Sequence, residues 1–512
     1  MKMQKIVYQL IALAVAAMFG HFSSGQTDEP MIYPKTKKVS QVDEYFGVEV
    51  EDPYRWLEQE ARNSEDVRKW VDDQNRLTFG YIEQLPFRDQ IKERLTRLWD
   101  FERFGTPFKQ GGRYYYSKND GLQNQDVVYR LETLQDEPKV LIDPNSWSDD
   151  GTKSLGGLSF SDDGKHVAYG VQESGSDWRT WYVMEIESGR VLADEVKWIK
   201  FGQVEWTPDG LGFYYSRFDE PPNDEEFQST NLNQKVYYHV IGTEQADDRL
   251  VHRDPEHPDW GFVPTVTEDG AYLVITVWKG TDDRYRILYK SLHEEHAALV
   301  ELIDNFENEY TFLGNEGSVF YFKSDLNAPR KCILTIDVSK PDQQNWKTIV
   351  AEAEDAMNAA SMVGDNIIVD YLQHAKTSVK LFDPNGAFVR EVELPGIGTA
   401  SGFAGKRSHS ETFYSFSSFN RPPSVYHYDL TTGQSRLMRE AKVDFDPDDY
   451  EVKQVFYQSK DGTRVPMFIA HKRGLRLNGD HPTLLYGYGG FNIPLTPAFS
   501  ISRLQWMEMG GV

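Results

Sequence analysis

Ser161-Asp162-Asp163-Gly164 runs through Lys165 into His166-Val167-Ala168-Tyr169. A small polar residue, acids and a glycine make a turn, because glycine takes the left-handed backbone that a tight reversal needs. The residues that follow are β-formers. The same phrase recurs along the chain at Lys109-Gln110-Gly111-Gly112, Thr207-Pro208-Asp209-Gly210, Thr267-Glu268-Asp269-Gly270, Gly314-Asn315-Glu316-Gly317 and Val363-Gly364-Asp365-Asn366, and in weaker form at Lys406-Arg407-Ser408-His409. A strand follows each turn, for example Phe213-Tyr214-Tyr215, Val319-Phe320-Tyr321-Phe322 and Thr412-Phe413-Tyr414, and a second closes many of the units, such as Lys235-Val236-Tyr237-Tyr238. The seven turns begin roughly 43–60 residues apart, the length of a four-stranded unit. A β-sandwich could hold such hairpins, but seven repeats need radial closure to protect their edges. The expectation is a seven-bladed β-propeller over residues 105–443.

The chain has 512 residues, more than one core supports, and 13% aromatics, which a folded chain needs. Its formal charge of −25 disfavours nucleic acid and anionic membrane surfaces as partners. The mean hydropathy of −0.59 and the lack of a second long apolar run argue against a spanning protein. Residues 1–25 read as a signal peptide: Lys2 and Lys5, an apolar run from Ile6 to Phe19, then Ser23-Ser24-Gly25. The rival is a membrane anchor, for which the run is short. Export to the periplasm or beyond is therefore expected, with no stable membrane insertion after cleavage. Cys332 is the single cysteine, so no intramolecular disulfide can form. In the run Cys332-Ile333-Leu334 it reads as a buried hydrophobe.

On either side of the repeat the pattern changes. Residues 26–104 are mostly helical: Ser64 can cap a helix whose apolar face carries Val67, Trp70, Val71, Leu77, Tyr81 and Ile82, and Ile91, Leu95 and Leu98 mark a second. Residues 444–512 begin with the acidic run Asp444-Phe445-Asp446-Pro447-Asp448-Asp449, which lacks the calcium-loop pattern and reads as a solvated hinge. A hairpin around Ser459-Lys460-Asp461-Gly462 follows. Thr483-Leu484-Leu485-Tyr486 then reads as a buried strand entering the glycine loop Gly487-Tyr488-Gly489-Gly490-Phe491-Asn492, the start of an α/β domain. Such a loop can aim a hydroxyl or backbone N–H at a developing oxyanion, though alone it is also an ordinary turn.

Other candidates read as surface. His293-Glu294-Glu295-His296 has its histidines three apart where the zincin pattern needs four, and no metal site is expected. His252 and His257 flank Asp254-Pro255-Glu256 and read as loop. No phosphate-binding glycine pattern opens a βα unit, so no cofactor is expected. Nowhere does the sequence contain Gly-x-Ser-x-Gly; Ser174-Gly175-Ser176-Asp177 comes nearest and lies between repeat strands.

With these features in hand, the chain resembles the N-terminal part of the prolyl oligopeptidase family. The resemblance rests on Asp52-Pro53-Tyr54-Arg55-Trp56-Leu57-Glu58, Ser176-Asp177-Trp178, the run from Ser229 to Val240, Ser459-Lys460-Asp461-Gly462-Thr463 and Tyr486-Gly487-Tyr488-Gly489-Gly490-Phe491-Asn492. It implies a serine endopeptidase that cleaves short peptides after proline, with no metal or organic cofactor and a monomer when intact. It also implies a propeller that gates substrate size, inserted in an α/β-hydrolase domain built from residues 26–104 and 444–512 and incomplete at its C-terminal end. By the resemblance Tyr488 matches the oxyanion-hole tyrosine, Phe491 an aromatic near the proline pocket, and Phe201 a propeller aromatic that contacts substrate further upstream. The plain alternatives are a tyrosine packed on the glycine turn, a core phenylalanine, and an inward-facing strand residue. Where the family often has an arginine and a cysteine, this chain has Trp278 and Thr281. The nucleophile, aspartate and histidine have no matching positions, so the 512-residue chain is expected to be inactive alone. The alternative function is a non-catalytic peptide-binding propeller, or a relic.

Overall fold

The computed structural model describes residues 31–222, 229–294, 296–491 and 493–512. The expected signal peptide, Glu295 and Asn492 lie outside the described residues. The described residues up to Leu98 form one compact unit and those from Trp99 onward a second.

The first unit opens with an antiparallel hairpin, Val42–Tyr45 against Val48–Glu51. Beside it, Arg55 gathers the Asp52-to-Glu58 motif: its guanidinium pairs with Asp43, with Asp52 at 3.0 Å and with Glu58 at 3.1 Å. Trp56 is tied down by its indole N–H, which donates to the Lys37 carbonyl at 2.9 Å. Helix α1 (Glu65–Glu83) starts where Ser64 was expected to cap it, with the Ser64 hydroxyl accepting from the Val67 N–H. Helix α2 (Arg88–Trp99) buries Leu95 and Leu98.

The second unit contains the seven-bladed ring expected from the turns. The blades cover residues 103–142, 153–199, 204–253, 260–303, 310–350, 356–391 and 399–439; each is an antiparallel sheet of four sequential strands, and the first carries one extra. In six blades the repeated turn joins the first strand to the second, and in blade one it joins Phe108–Gln110 to Arg113–Asn119. Three of them share one hydrogen-bond plan. In the second blade, Asp163 Oδ1 accepts from the Ser161 hydroxyl at 2.7 Å and the Lys165 N–H at 3.0 Å, while Gly164 sits at φ 67°. Thr207-Asp209-Leu211 and Thr267-Asp269-Ala271 repeat it. Burial pushes the Asp163 carboxyl up, but the hydrogen bonds from Lys165 and Ser161 prevail and hold its pKa at about 2.

Six of the seven blade junctions are filled by buried apolar side chains from both neighbours, such as Trp181 and Ile199 against Phe213 and Tyr215 between blades two and three. The junction between blades seven and one is different. As at the other junctions, no strand is shared across it among the described residues, but its contacts are mostly polar. Glu411 of blade seven accepts from the Tyr114 hydroxyl of blade one at 2.5 Å, pairs with Lys109 at 3.4 Å and holds His427 Nε2 at 2.7 Å. The Tyr114 ring meets Phe413 edge-on at 6.0 Å, and Arg439 lies over Phe104. A second buried charge cluster joins blades two and three. His239 is fully buried, with Nε2 at 3.0 Å from Asp194 and Nδ1 at 2.7 Å from Asp248. Burial alone would lower its pKa, but the two carboxylates raise it to about 9. Cys332 is buried as expected, and burial pushes its thiol up to about 11.

Three expectations need correction. His252 is no loop residue: it sits in the strand Arg249–Arg253 with its ring edge-on to Phe262 at 4.7 Å. The acidic run is not a free hinge, because Pro447–Asp449 forms a 3₁₀ turn capped by Asp446 and tethered by Arg421 to Asp448 and by Asn420 to the Pro447 carbonyl. Thr483-Leu484-Leu485-Tyr486 is not a buried strand. Leu485 is 81% exposed, and the segment's backbone pairing is confined to Leu484 N–H to Val512 O and Val512 N–H to Pro482 O, each 2.9 Å. An apolar run becomes a buried strand only when neighbours pair with both edges and cover its faces. The expected hairpin is present, as Tyr450–Gln458 against Arg464–Lys472, and helix α3 (Ile501–Glu508) follows.

Candidate functional site

The two ends of the ring are chemically distinct. At the end where first strands turn into second strands, a cavity of about 510 Å³ is lined from every blade, among others by Gln110, Asp162, Glu205, Glu268 and Asn315. Blade seven's weak turn reaches across it. Lys406 pairs with Asp162 of blade two, and the Arg407 backbone N–H donates to Glu268 of blade four at 2.9 Å. Gln110 also donates to Asp162, at 2.7 Å. Glu205 sits among these groups, and burial pushes its pKa up to about 7. The cross-links narrow this mouth with polar contacts.

The opposite end carries the candidate peptide site. Second strands finish here, and so do fourth strands. The hairpin of residues 450–472 and Phe499 rest on this face at blades six and seven. The Gln454 amide donates to the His374 carbonyl, the His374 ring meets Phe456 at 5.2 Å, Phe419 packs on Phe468 at 5.4 Å, and the Phe499 N–H donates to Ser417 Oγ at 3.1 Å.

Phe201 lies on the same face, between the last strand of blade two and the first of blade three. It is 52% exposed, so it is not the inward-facing strand residue of the plain alternative. Its φ is 59°, and that of Trp198 is 63°, both in the left-handed region that costs a residue with a side chain roughly 1–2 kcal/mol. The strained loop is held by its backbone: the Phe218 N–H donates to the Trp198 carbonyl, Gln234 to the Lys200 carbonyl and Arg179 to the Gly202 carbonyl. Phe201 meets Trp278 at a ring separation of 6.5 Å and an angle of 86°. Trp278 is seated against Gly261, where any Cβ would come within 2.0 Å of the indole. Lys200 fills the space between rings, with Nζ 4.9 Å from the Trp178 centroid and 5.3 Å from that of Phe201. The sequence pointed to Phe201, Trp278 and Trp178 but passed over Lys200. Its signal was slight: a cation inside the aromatic run Trp198-Ile199-Lys200-Phe201.

Tyr488 and Phe491 stand in an open loop. Tyr488 is 48% exposed and its hydroxyl folds back over Gly490, so the loop has the geometry of the plain alternative. Phe491 is 72% exposed with φ 53°, and is not a core residue. His293 and His296 are exposed, as expected. Among the described residues, no three histidine, cysteine, aspartate or glutamate side chains converge as a metal would require.

Comparison with known proteins decides the family. The family described as "Prolyl oligopeptidase, N-terminal beta-propeller domain" matches residues 34–441. The chain belongs to the prolyl oligopeptidase family. It is 38% identical over 505 residues to a prolyl endopeptidase of Elizabethkingia meningoseptica, spanning 99% of this chain and 71% of that relative. Prolyl oligopeptidase A of Amanita bisporigera is 32% identical, with the same coverage on both sides. Among solved structures, prolyl oligopeptidase B of Galerina marginata, bound to a 35mer hydrolysis and macrocyclization substrate, superposes with a TM-score of 0.87 at 31% identity, over 94% of this chain and 71% of that one. A structure from a study of two prolyl endopeptidases gives 0.86 at 34% identity, over 94% and 70%.

Proposed function

We propose that this chain is the propeller and oxyanion side of a serine endopeptidase that cleaves proline-containing peptides on the carboxyl side of proline. Residues 444–512 begin its α/β-hydrolase portion, and the segment before the propeller contributes to the same domain. The observation that carries the reading is the pairing of a complete seven-bladed ring with the loop Tyr486–Phe491, in a chain that matches prolyl endopeptidases across 99% of its length. The parallel contact of Val512 with Pro482 and Leu484 across α3 fits a βαβ crossover, the unit from which such domains are built.

In this reading the Tyr488 hydroxyl donates to the tetrahedral intermediate. Such a donor supplies about 3–4 kcal/mol of transition-state stabilisation. The loop as it stands folds Tyr488 over Gly490, so substrate binding or further chain swings the ring outward. The nucleophilic serine, aspartate and histidine lie outside residues 1–512, a proposal supported by the lack of Gly-x-Ser-x-Gly in the sequence. Phe201 and Phe491 contact the peptide, and residues 1–25 direct export. The test is turnover of a proline-containing chromogenic peptide, by the 512-residue chain and by a form extended to the length of its relatives. The extended form turns over and is silenced by a serine-directed reagent, and the shorter chain does not. Turnover by the 512-residue chain, free of contaminating peptidase, overturns the reading.

A further inference from the structure

We propose that Lys200 makes this face selective for peptides that carry an acidic side chain upstream of the scissile proline. The inference rests on the peptide-binding reading of the Phe201 face. It adds a charge preference that the reading itself does not contain.

The argument begins with the electrostatics of Lys200. Its ammonium faces the rings of Trp178 and Phe201, and its hydrogen-bond partner among side chains is Asn231 Oδ1, at a long 3.4 Å. Among the described residues no carboxylate lies within ion-pairing distance of it. Around it Lys235 pairs with Asp219, and on blade four Arg284 pairs with Asp282 and Lys279 with Asp259, whereas Arg179 bonds the Gly202 carbonyl. An ammonium held against aromatic faces is partly desolvated and keeps donors unspent. A carboxylate arriving there gains a charge-assisted hydrogen bond in surroundings drier than water.

The second argument is rigidity. Lys200 sits between two left-handed residues, Trp198 and Phe201, and its carbonyl is fixed by Gln234. Phe201 is fixed in turn against Trp278, which cannot shift toward Gly261 without collision. Two left-handed residues with side chains, Trp198 and Phe201, flank the cation and the exposed ring. Backbone strain beside an exposed ring fits a presenting role, since it costs stability. A preformed cation beside an exposed aromatic suits a peptide bearing a carboxylate next to a proline or another flat apolar group.

The test uses two peptides, acetyl-Glu-Gly-Pro-amide and acetyl-Gln-Gly-Pro-amide, titrated into the 512-residue chain with tryptophan fluorescence as readout. The glutamate peptide binds about fivefold more tightly at low salt, and the ratio shrinks as ionic strength rises. Lys200→Gln brings the ratio to one, and Lys200→Arg keeps it above one, with melting temperature checked for each variant. Equal binding of the two peptides to the parent chain overturns this proposal and leaves the peptide reading intact. A preference that survives in Lys200→Gln overturns the assignment to Lys200. Failure of both peptides to bind overturns this proposal and the peptide-binding reading together.

Discussion

Phe201 and Trp278 meet edge to face, 6.5 Å apart at 86°, across blades that stand 77 residues apart in the chain. Neither ring is sealed in a core, and Phe201 holds its place against a left-handed backbone. A pair arranged this way has a cost in stability that packing does not explain, which points to a role in contact with a ligand.

That cost gives the first prediction. Phe201→Gly removes the left-handed penalty, of roughly 1–2 kcal/mol, while losing an aromatic contact worth about 0.5–1.5 kcal/mol. Global stability, measured by denaturant unfolding, stays within about 1 kcal/mol of the parent. Peptide affinity falls roughly tenfold. A loss of stability well beyond this range would make Phe201 a structural residue.

The seam between blades seven and one is centred on one carboxylate, with a Tyr114–Phe413 ring contact and Arg439 over Phe104 beside it, where the other junctions have larger apolar clusters. Glu411→Ala strips partners from Tyr114, Lys109 and His427 at once, at a cost of about 2–3 kcal/mol. Hydrogen exchange should quicken in residues 103–142 and 399–439 before the other blades. Uniform loosening around the ring would show that the seam is no weaker than its neighbours.

His239 sets a pH dependence. Its pKa is raised to about 9 from an ordinary value near 6.5, so the native state binds the proton more tightly than the unfolded chain. The contribution is fully present below pH 6.5 and is lost as pH rises through about 9. It is on the order of 3 kcal/mol. Unfolding free energy measured from pH 6 to 10 should decline over this window. His239→Gln is destabilised by about 3–5 kcal/mol, because two buried carboxylates lose their partner, and the slope between pH 6.5 and 9 flattens. An unchanged slope in the variant would place the titrating group elsewhere.

Local chemistry decided what could be read in advance. The turn at Ser161–Gly164 was legible because its hydrogen bonds lie within five residues of each other. Repetition of that turn at blade-length spacing then carried the ring. The Lys200 site was illegible for the opposite reason: Trp178 meets Lys200 only once two strands of blade two pair, and Trp278 meets Phe201 only once the blades pack. His252 was misread because an acidic, proline-containing flank hides an edge strand that packs on the next blade. Thr483–Tyr486 was misread because apolar composition cannot say whether a neighbouring strand is present. Arg407, at the far mouth, was seen as part of a weak turn, and its reach across the ring to Glu268 has no local signature.

The same repetition predicts where the ring is fragile. Asp209→Ala removes the acceptor for both the Thr207 hydroxyl and the Leu211 N–H. The expected cost is about 1–2 kcal/mol, seen as a lower denaturation midpoint with an unchanged denaturant slope. A neutral substitution would show that the turn is set by its glycine alone.

The oxyanion role proposed for Tyr488 is open to the most direct test. In the form extended to the length of its relatives, Tyr488→Phe removes one hydroxyl and leaves the ring. The account predicts that kcat on a proline-containing peptide falls about 10²–10³-fold with KM nearly unchanged, as befits a donor that acts in the transition state. An unchanged kcat would contradict it.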